Sequence, residues 1–202
     1  MKSNEEKKRG LFGELRDLLR FNRSVRRFHA DRPIPYVTLE SLVELTRWCA
    51  SSQNVQPLRY RIVDDPEGKA NLFPALKWAR HLKDWDGPTP SERPAAYIVQ
   101  VLDTELYATP FCDCGLELEV ITLGAATQGI NSCIIRNFNP KEVHEILGLE
   151  DKYRVEYVVA LGYASETVRL KDMEPGGKEF NYYRDEDDNH IVPKRPLSDR
   201  II

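Results

Sequence analysis

The chain is short of long apolar runs, of cysteine, of histidine and of any excess charge, and each shortage narrows what it can be. No uninterrupted apolar stretch approaches the ~18–20 residues that a membrane span needs. The charged segment Met1–Arg9 is followed by no apolar signal-peptide core, so a cytoplasmic location and no membrane partner are expected. The 29 Lys and Arg against 32 Asp and Glu leave a net charge of −3, which gives no global attraction to nucleic acid. Four cysteines are present, Cys49, Cys112, Cys114 and Cys133, and their spacing fits no common zinc framework. Cys112 and Cys114 form the one close pair, and no nearby histidine completes a ligand set, so no metal site is expected. The thiols read as buried or semi-buried small apolar groups in a reducing compartment. His29, His81, His144 and His190 are scattered and read as surface or hydrogen-bonded residues. Neither a Walker loop nor a Rossmann glycine fingerprint is present, and no Ser, His and Asp share a supporting spacing.

What is present fits one domain, or one domain with extensions. The 202 residues suffice for a sizeable core, and 41% hydrophobic with 30% charged residues is the balance of an ordinary soluble protein. Leu11, Leu15, Leu18 and Leu19 recur at helical spacing and predict an amphipathic helix over ~10–21. Pro33-Ile34-Pro35 breaks the chain, and Thr38 reads as the N-cap of a helix carrying Leu39, Leu42, Val43 and Leu45 that ends near Ser51-Ser52. Leu58–Val63 alternates as a strand. A further helix is predicted over ~67–82, with Pro74 as its flaw, followed by a loop through His81–Arg93. Ala95–Leu102 reads as a central strand. Asp113 reads as the cap of a helix over ~114–129 that is apolar on nearly every face and so belongs in the middle of a core. A strand at Ser132–Ile135, a helix around Pro140–Leu147 and a strand at Val155–Leu161 follow. The polar tail from ~165 is expected to wrap along another surface rather than hold itself together. The fold class is α+β, with a sheet flanked by helices.

Two polar clusters stand out. Asn22-Arg23-Ser24-Val25-Arg26-Arg27-Phe28 gathers three arginines and a serine, donors that suit phosphate oxygens. A distant pair, Lys194-Arg195, closes the chain around a phosphorylated ligand if the two ends converge. Taken alone, the cluster also fits a solvated or ion-paired surface. A nucleic-acid patch would need more basic area with interleaved aromatics. Ser51-Ser52-Gln53-Asn54-Val55-Gln56-Pro57 concentrates amides and hydroxyls between a helix end and a strand. It fits a polar turn, or the donor and acceptor edges that a heteroaromatic ring needs.

RSVRRF, SSQNVQP about thirty residues later, GINSCIIRNF after the apolar helix, LGY at 161–163 and PKRPL near the end together resemble the nitroreductase family of FMN-dependent oxidoreductases. The segment LKWARHLKDWDGP further resembles a nitroreductase-like subgroup common in anaerobic bacteria and archaea. The order and spacing of these motifs, from about Leu11 to Ile202, carry the resemblance. It implies a mostly antiparallel sheet wrapped by helices around a long buried central helix, in an entwined homodimer with FMN at the subunit interface. Residues 1–10 would be a charged extension, 11–164 the FMN-binding domain, and 165–202 an extension that wraps the dimer and completes the phosphate site.

By position, the resemblance places Arg23, Ser24 and Arg26 on the FMN phosphate and ribityl groups, joined by Lys194 and Arg195. Ser51, Ser52 and Asn54 would reach the flavin of the partner subunit, with Gln56 close behind. Cys133, Ile134, Ile135 and Asn137 would pass the isoalloxazine ring. Trp78, Trp85 and Phe73 either roof the pocket or sit in the core. Three departures from the family pattern are visible: Asn22 where an arginine is common, Ala50 where a proline often precedes the serines, and Arg136 where Gly or Glu is common. The implied activity is hydride transfer from NADH or NADPH to FMN and then to a small electron-poor acceptor, a nitroaromatic or quinone, in a ping-pong cycle that needs no catalytic side chain. The alternatives are a non-catalytic flavin-binding or regulatory protein, a flavin reductase, or a dehalogenase on the same architecture.

Overall fold

The computed structural model describes residues 4–202. Its centre is a four-stranded antiparallel sheet of order β1-β2-β4-β3, formed by β1 (Leu58–Val63), β2 (Ala96–Asp103), β3 (Asn131–Ile135) and β4 (Tyr153–Gly162). The central strands β2 and β4 are covered on both faces, which explains why their sequences read as nearly continuous apolar runs. Alternation along β2 assigns the faces: Val99 and Val101 belong to one core, Ile98 to the other. The first core packs Phe28, Leu72 and Val143 against Cys133, Ile135 and Val158. The second packs Leu39, Leu42, Leu118, Ile121 and Ala125 against Val159 and Leu161.

The helices therefore sort by face. α3 (Pro66–Leu72) and α5 (Pro140–Ile146) lie on the first; α2 (Tyr36–Glu44) and α4 (Asp113–Thr127) lie on the second. The first helix, α1 (Asn4–Phe21), packs against α4 and begins about two turns earlier than its leucine spacing predicts. Thr38 lies inside α2 rather than capping it: Pro35 holds the cap position, and a 3-10 turn over Leu45–Trp48 ends the run before Ser51. The predicted helix over ~67–82 stops at Leu72 and tightens into a 3-10 turn over Phe73–Ala75, because Pro74 has no N–H to donate. Asp113 is likewise the first residue of α4, not its cap.

Two further expectations change in the fold. α4 is not enclosed on every side: Leu116 is 43% exposed, in line with Leu11, Phe12, Leu15 and Leu19 on the outer face of α1. The polar tail also does hold itself together. β5 (Val168–Asp172), β6 (Tyr183–Arg184) and β7 (His190–Lys194) form a small mixed sheet of order β5-β7-β6. Its backbone pairing supplies the order that its apolar content could not. Among the described residues, no helix is long and apolar enough to cross a membrane.

Candidate functional site

The arginine cluster crosses the end of β3. Ser24 bridges Ser132 in parallel, and the Val25 N–H donates to the Ser132 carbonyl at 2.9 Å. Val25 and Phe28 are buried, so the intervening polar side chains are directed away from the core. Asn22 Nδ2 donates to Thr122 Oγ1 at 2.9 Å and fastens the end of α1 to α4. Arg23 Nη2 and Nε donate to the carbonyls of Leu19 and Asn22, and so satisfy acceptors that the end of α1 leaves open.

One carboxylate organises the backbone of this turn. Glu166 Oε1 accepts from the N–H groups of Arg26 and Arg27, and its Oε2 accepts from Arg184 Nη2 at 2.6 Å. The Glu166 carboxylate is almost fully buried. The three arginines then diverge. Arg27 is neutralised, paired with Asp188 and 3.5 Å from Glu92; that contact holds the Asp188 carboxyl below the usual carboxylate range. Among the described residues the Arg26 guanidinium pairs with no carboxylate: its Nη1 lies 3.0 Å from His190 Nε2, and it sits 4.6 Å from the centre of the Tyr182 ring. Arg23 is bonded only to carbonyls among the described residues.

A cavity of about 350 Å³ opens above these side chains, lined by Arg23, Ser24, Arg26, Ile134, His190 and Lys194 among others. Burial, with Arg23 and Arg200 close by, pushes the Lys194 ammonium below its ordinary range. Several cations face one carboxylate, Glu119, so the cavity suits an anion. A second cavity of about 470 Å³ adjoins it and shares Arg26, Ile134 and Tyr182. It is lined by Lys77, Trp78, Arg80, Cys133, Ile135, Arg136 and Asn137 as well. Because β3 is an edge strand and alternates, Cys133 and Ile135 turn into the core while Ile134, 40% exposed, faces outward between the two cavities.

The structure thus brings together Arg23, Ser24, Arg26 and Lys194 in one cavity, and Cys133, Ile134, Ile135 and Asn137 around the next. Arg195 is not with them. Adjacent residues of an extended chain point to opposite sides, and Arg195 donates instead to the Gly177 carbonyl and approaches Asp199 at 3.8 Å. Ser51, Ser52, Asn54 and Gln56 line neither cavity. Asp113 holds their turn, accepting from Ser51 Oγ at 2.6 Å and from the Ser52 N–H at 2.9 Å. Gln53, Asn54 and Gln56 all adopt left-handed backbone, with φ of 52°, 57° and 52°. Of the three aromatic residues considered as a roof, only Trp78 lines the second cavity. Phe73 packs against Trp78, and the guanidinium groups of Arg27 and Arg184 lie 5.7 and 5.6 Å from the centre of the Trp85 ring.

Sequence reasoning overlooked Glu166 and Tyr182, and read His190 only as a surface or hydrogen-bonded residue. For His190 a signal existed: counting back from Lys194 by twos gives Val192 and His190, and all three line the first cavity. Glu166 and Tyr182 carry no comparable periodic signal, since they reach the arginine turn through the tail's own fold.

Comparison with known proteins agrees with this architecture. The sequence pattern of the nitroreductase family matches residues 19–163. YfhC of Bacillus subtilis, provisionally assigned as an NAD(P)H nitroreductase, is 25% identical over 178 residues, which are 80% of this chain and 90% of that protein. A nitroreductase family protein from Streptococcus pneumoniae superposes with a TM-score of 0.66 at 18% identity, over 80% of this chain and 96% of the other. An FMN-dependent nitroreductase from Clostridium difficile superposes with a TM-score of 0.60 at 25% identity, over 74% of this chain and 87% of the other. The sequence match alone runs from the end of α1 to the close of β4, well over half of the protein, and the chain belongs to the nitroreductase family of oxidoreductases.

Proposed function

We propose that the protein is an FMN-dependent oxidoreductase that passes a hydride from NADH or NADPH to an electron-poor acceptor such as a nitroaromatic or a quinone, and that it works as a homodimer. The observation that carries this reading is the pair of adjoining cavities that meet at the outer edge of β3. One is lined by Arg23, Ser24, Arg26 and Lys194; the other is bordered by the outer edge of β3, with Ile134 between them.

The donor set fits a flavin mononucleotide. Arg23, Arg26 and Lys194 would hold its phosphate, with Ser24 as a further donor. A dianion would also relieve the mutual repulsion of Lys194, Arg23 and Arg200. The β3 edge and Asn137 would face the ring, and the Ile134 side chain offers an apolar surface for its stacking. When bound, FMN supplies a two-electron carrier between nicotinamide and acceptor. The chain's own residues then have three tasks: to anchor the phosphate, to fix the ring against β3, and to leave one face open for two partners in turn. None of these needs a side chain that gives or takes a proton.

The homodimer is supported by two features of the surface. Leu11, Phe12, Leu15 and Leu19 recur on α1 and stay exposed, as does Leu116 on α4, against which α1 packs; apolar residues uncovered in this way mark a candidate interface. The 51–57 turn, held by Asp113 and lining neither of the two cavities, is suited to complete a cavity of another subunit.

The purified protein should be yellow, should bleach with NADH or NADPH without oxygen, and should recolour when a quinone is added. A colourless protein that takes up no added FMN overturns the assignment. A yellow protein that neither nicotinamide bleaches would instead favour a flavin-binding role without turnover.

A further inference from the structure

We propose that the second cavity receives its reaction partner through an anionic group, a carboxylate or a phosphate, held by Lys77, Arg80 and Arg136. This rests on the flavin reading above, in which that cavity is where partners meet the ring.

The lining of this cavity contains four cationic side chains, Arg26, Lys77, Arg80 and Arg136, and no carboxylate. Two other cations near the site are neutralised. Arg27 has Asp188 and Glu92, and Arg184 has Glu166 and Asp188. Among the described residues, none of Lys77, Arg80 and Arg136 has an acidic partner within 4.0 Å. The Arg136 guanidinium sits instead near two rings, 5.6 Å from the centre of Phe138 and 5.7 Å from that of Tyr157. Such contacts steady an arginine without cancelling its charge.

The backbone fixes these residues across from one another. The Lys77 N–H donates to the Asn137 carbonyl at 2.9 Å, and Leu76 bridges Phe138. The loop carrying Lys77 and Arg80 is therefore tied to the segment that carries Arg136 as the chain leaves β3. Ala79 between them has φ +36°, a conformation an alanine avoids unless its surroundings impose it. Trp78 and Ile134 add apolar surface to the same cavity, so an aromatic body with an anionic substituent finds both of its parts matched. At about 470 Å³ the cavity has the size of a small-molecule site, with the ring along the β3 edge and the partner against its open face. The flavin phosphate does not account for these charges, because Arg23, Arg26 and Lys194 serve it in the first cavity.

The same anionic chemistry can arrive on the acceptor or on the nicotinamide donor, whose two forms differ by one phosphate. The test compares wild-type holoenzyme with Lys77→Gln, Arg80→Gln and Arg136→Gln, singly and together. The acceptor arm measures kcat/KM for 4-nitrobenzoate against its neutral methyl ester. The donor arm measures anaerobic flavin reduction by NADPH against NADH. A binding arm titrates oxidised holoenzyme with benzoate and with benzamide, read by flavin absorbance and tryptophan fluorescence.

In the triple variant the flavin absorbance is retained, and the preference for the charged member of a pair falls by about tenfold or more, the loss expected for one hydrogen bond to a charged group. A fall confined to the acceptor and benzoate arms places the anion on the acceptor; a fall confined to the donor arm places it on NADPH. Equal losses with charged and neutral members would assign the cations to the flavin and overturn the proposal, as would unchanged ratios in a yellow protein. The exposed single variants carry the test if the triple variant does not fold. Failure of the wild-type protein to bind FMN would sink the flavin reading itself, a result distinct from any change in these ratios.

Discussion

Arg26 Nη1 lies 3.0 Å from His190 Nε2, with the Tyr182 ring under the same guanidinium. Arginine can only donate, so Nε2 is the acceptor and the ring proton sits on Nδ1, which is buried and has no partner among the described residues. Histidine and tyrosine thereby hold Arg26 in place while leaving its charge uncancelled. A carboxylate in the same position would hold it equally well and compete with a phosphate.

Replacing Arg26 by alanine is expected to weaken FMN binding by about 10- to 100-fold, the range for a hydrogen bond to a charged group. Arg61→Ala is the control, since Arg61 is exposed on β1 and lines neither cavity. Titration of each apoprotein with FMN, followed by flavin fluorescence, compares the two. Equal dissociation constants would remove Arg26 from the phosphate site.

His190 should make stability depend on pH. Burial, reinforced by Arg26, holds its pKa down to about 4, against about 6.5 for an unfolded chain. Between those values the unfolded state binds a proton that the folded state refuses. The contribution is therefore complete above about pH 6.5 and is lost as pH falls toward 4. Its size is on the order of 2 kcal/mol. Thermal midpoints from pH 4 to 8 should fall more steeply with acid in the wild-type protein than in His190→Gln, whose amide oxygen still accepts from Arg26. Parallel curves would contradict the assignment.

Glu166 and Arg184 should be strongly coupled. Removing one partner of a buried ion pair leaves the other uncompensated, at a cost of about 3–5 kcal/mol. Glu166→Ala and Arg184→Ala are each expected to destabilise strongly, Glu166→Ala the more because two backbone N–H groups also lose their acceptor. The double variant should lose less than the sum of the two, by about 1–3 kcal/mol in a double-mutant cycle. Additive losses in urea unfolding would show that the pair does not act as a unit.

The exposed face of α1 and α4 gives a test of assembly. Leu15→Glu with Leu116→Glu should turn a dimer into a monomer in light scattering, because a buried unpaired carboxylate is costly at an interface. If the 51–57 turn completes the partner's cavity, FMN affinity should fall in the same variant. A wild-type protein that is monomeric at micromolar concentration would count against the homodimer.

The elements legible in the sequence are those whose cause is local. Leu58–Val63 was bounded by its own alternation and by Asp64-Asp65-Pro66, and β1 has those bounds. The apolar content of α4 announced a buried helix. It could not announce that Leu116 would stay exposed, because which face a neighbour covers is not written in a helix's own residues. Asp113 shows the same limit. Its position suggested a cap, yet its carboxylate is used by Ser51 and Ser52, some sixty residues earlier.

By itself the sequence determined the alternation of apolar and polar residues, the positions where proline and glycine break it, and the donors concentrated at residues 23–26. These properties act over a few residues and survive any arrangement of the rest. Only the tertiary structure decided which arginines keep their charge. Arg27 is cancelled by Asp188 and Glu92, while Arg26 is met by His190 and Tyr182, partners drawn from a tail more than 150 residues away. It also separated Lys194 from Arg195, because the chain leaving β7 stays extended and sends neighbouring side chains to opposite sides. Charge is a property of a residue, but its availability to a ligand depends on what the fold sets beside it.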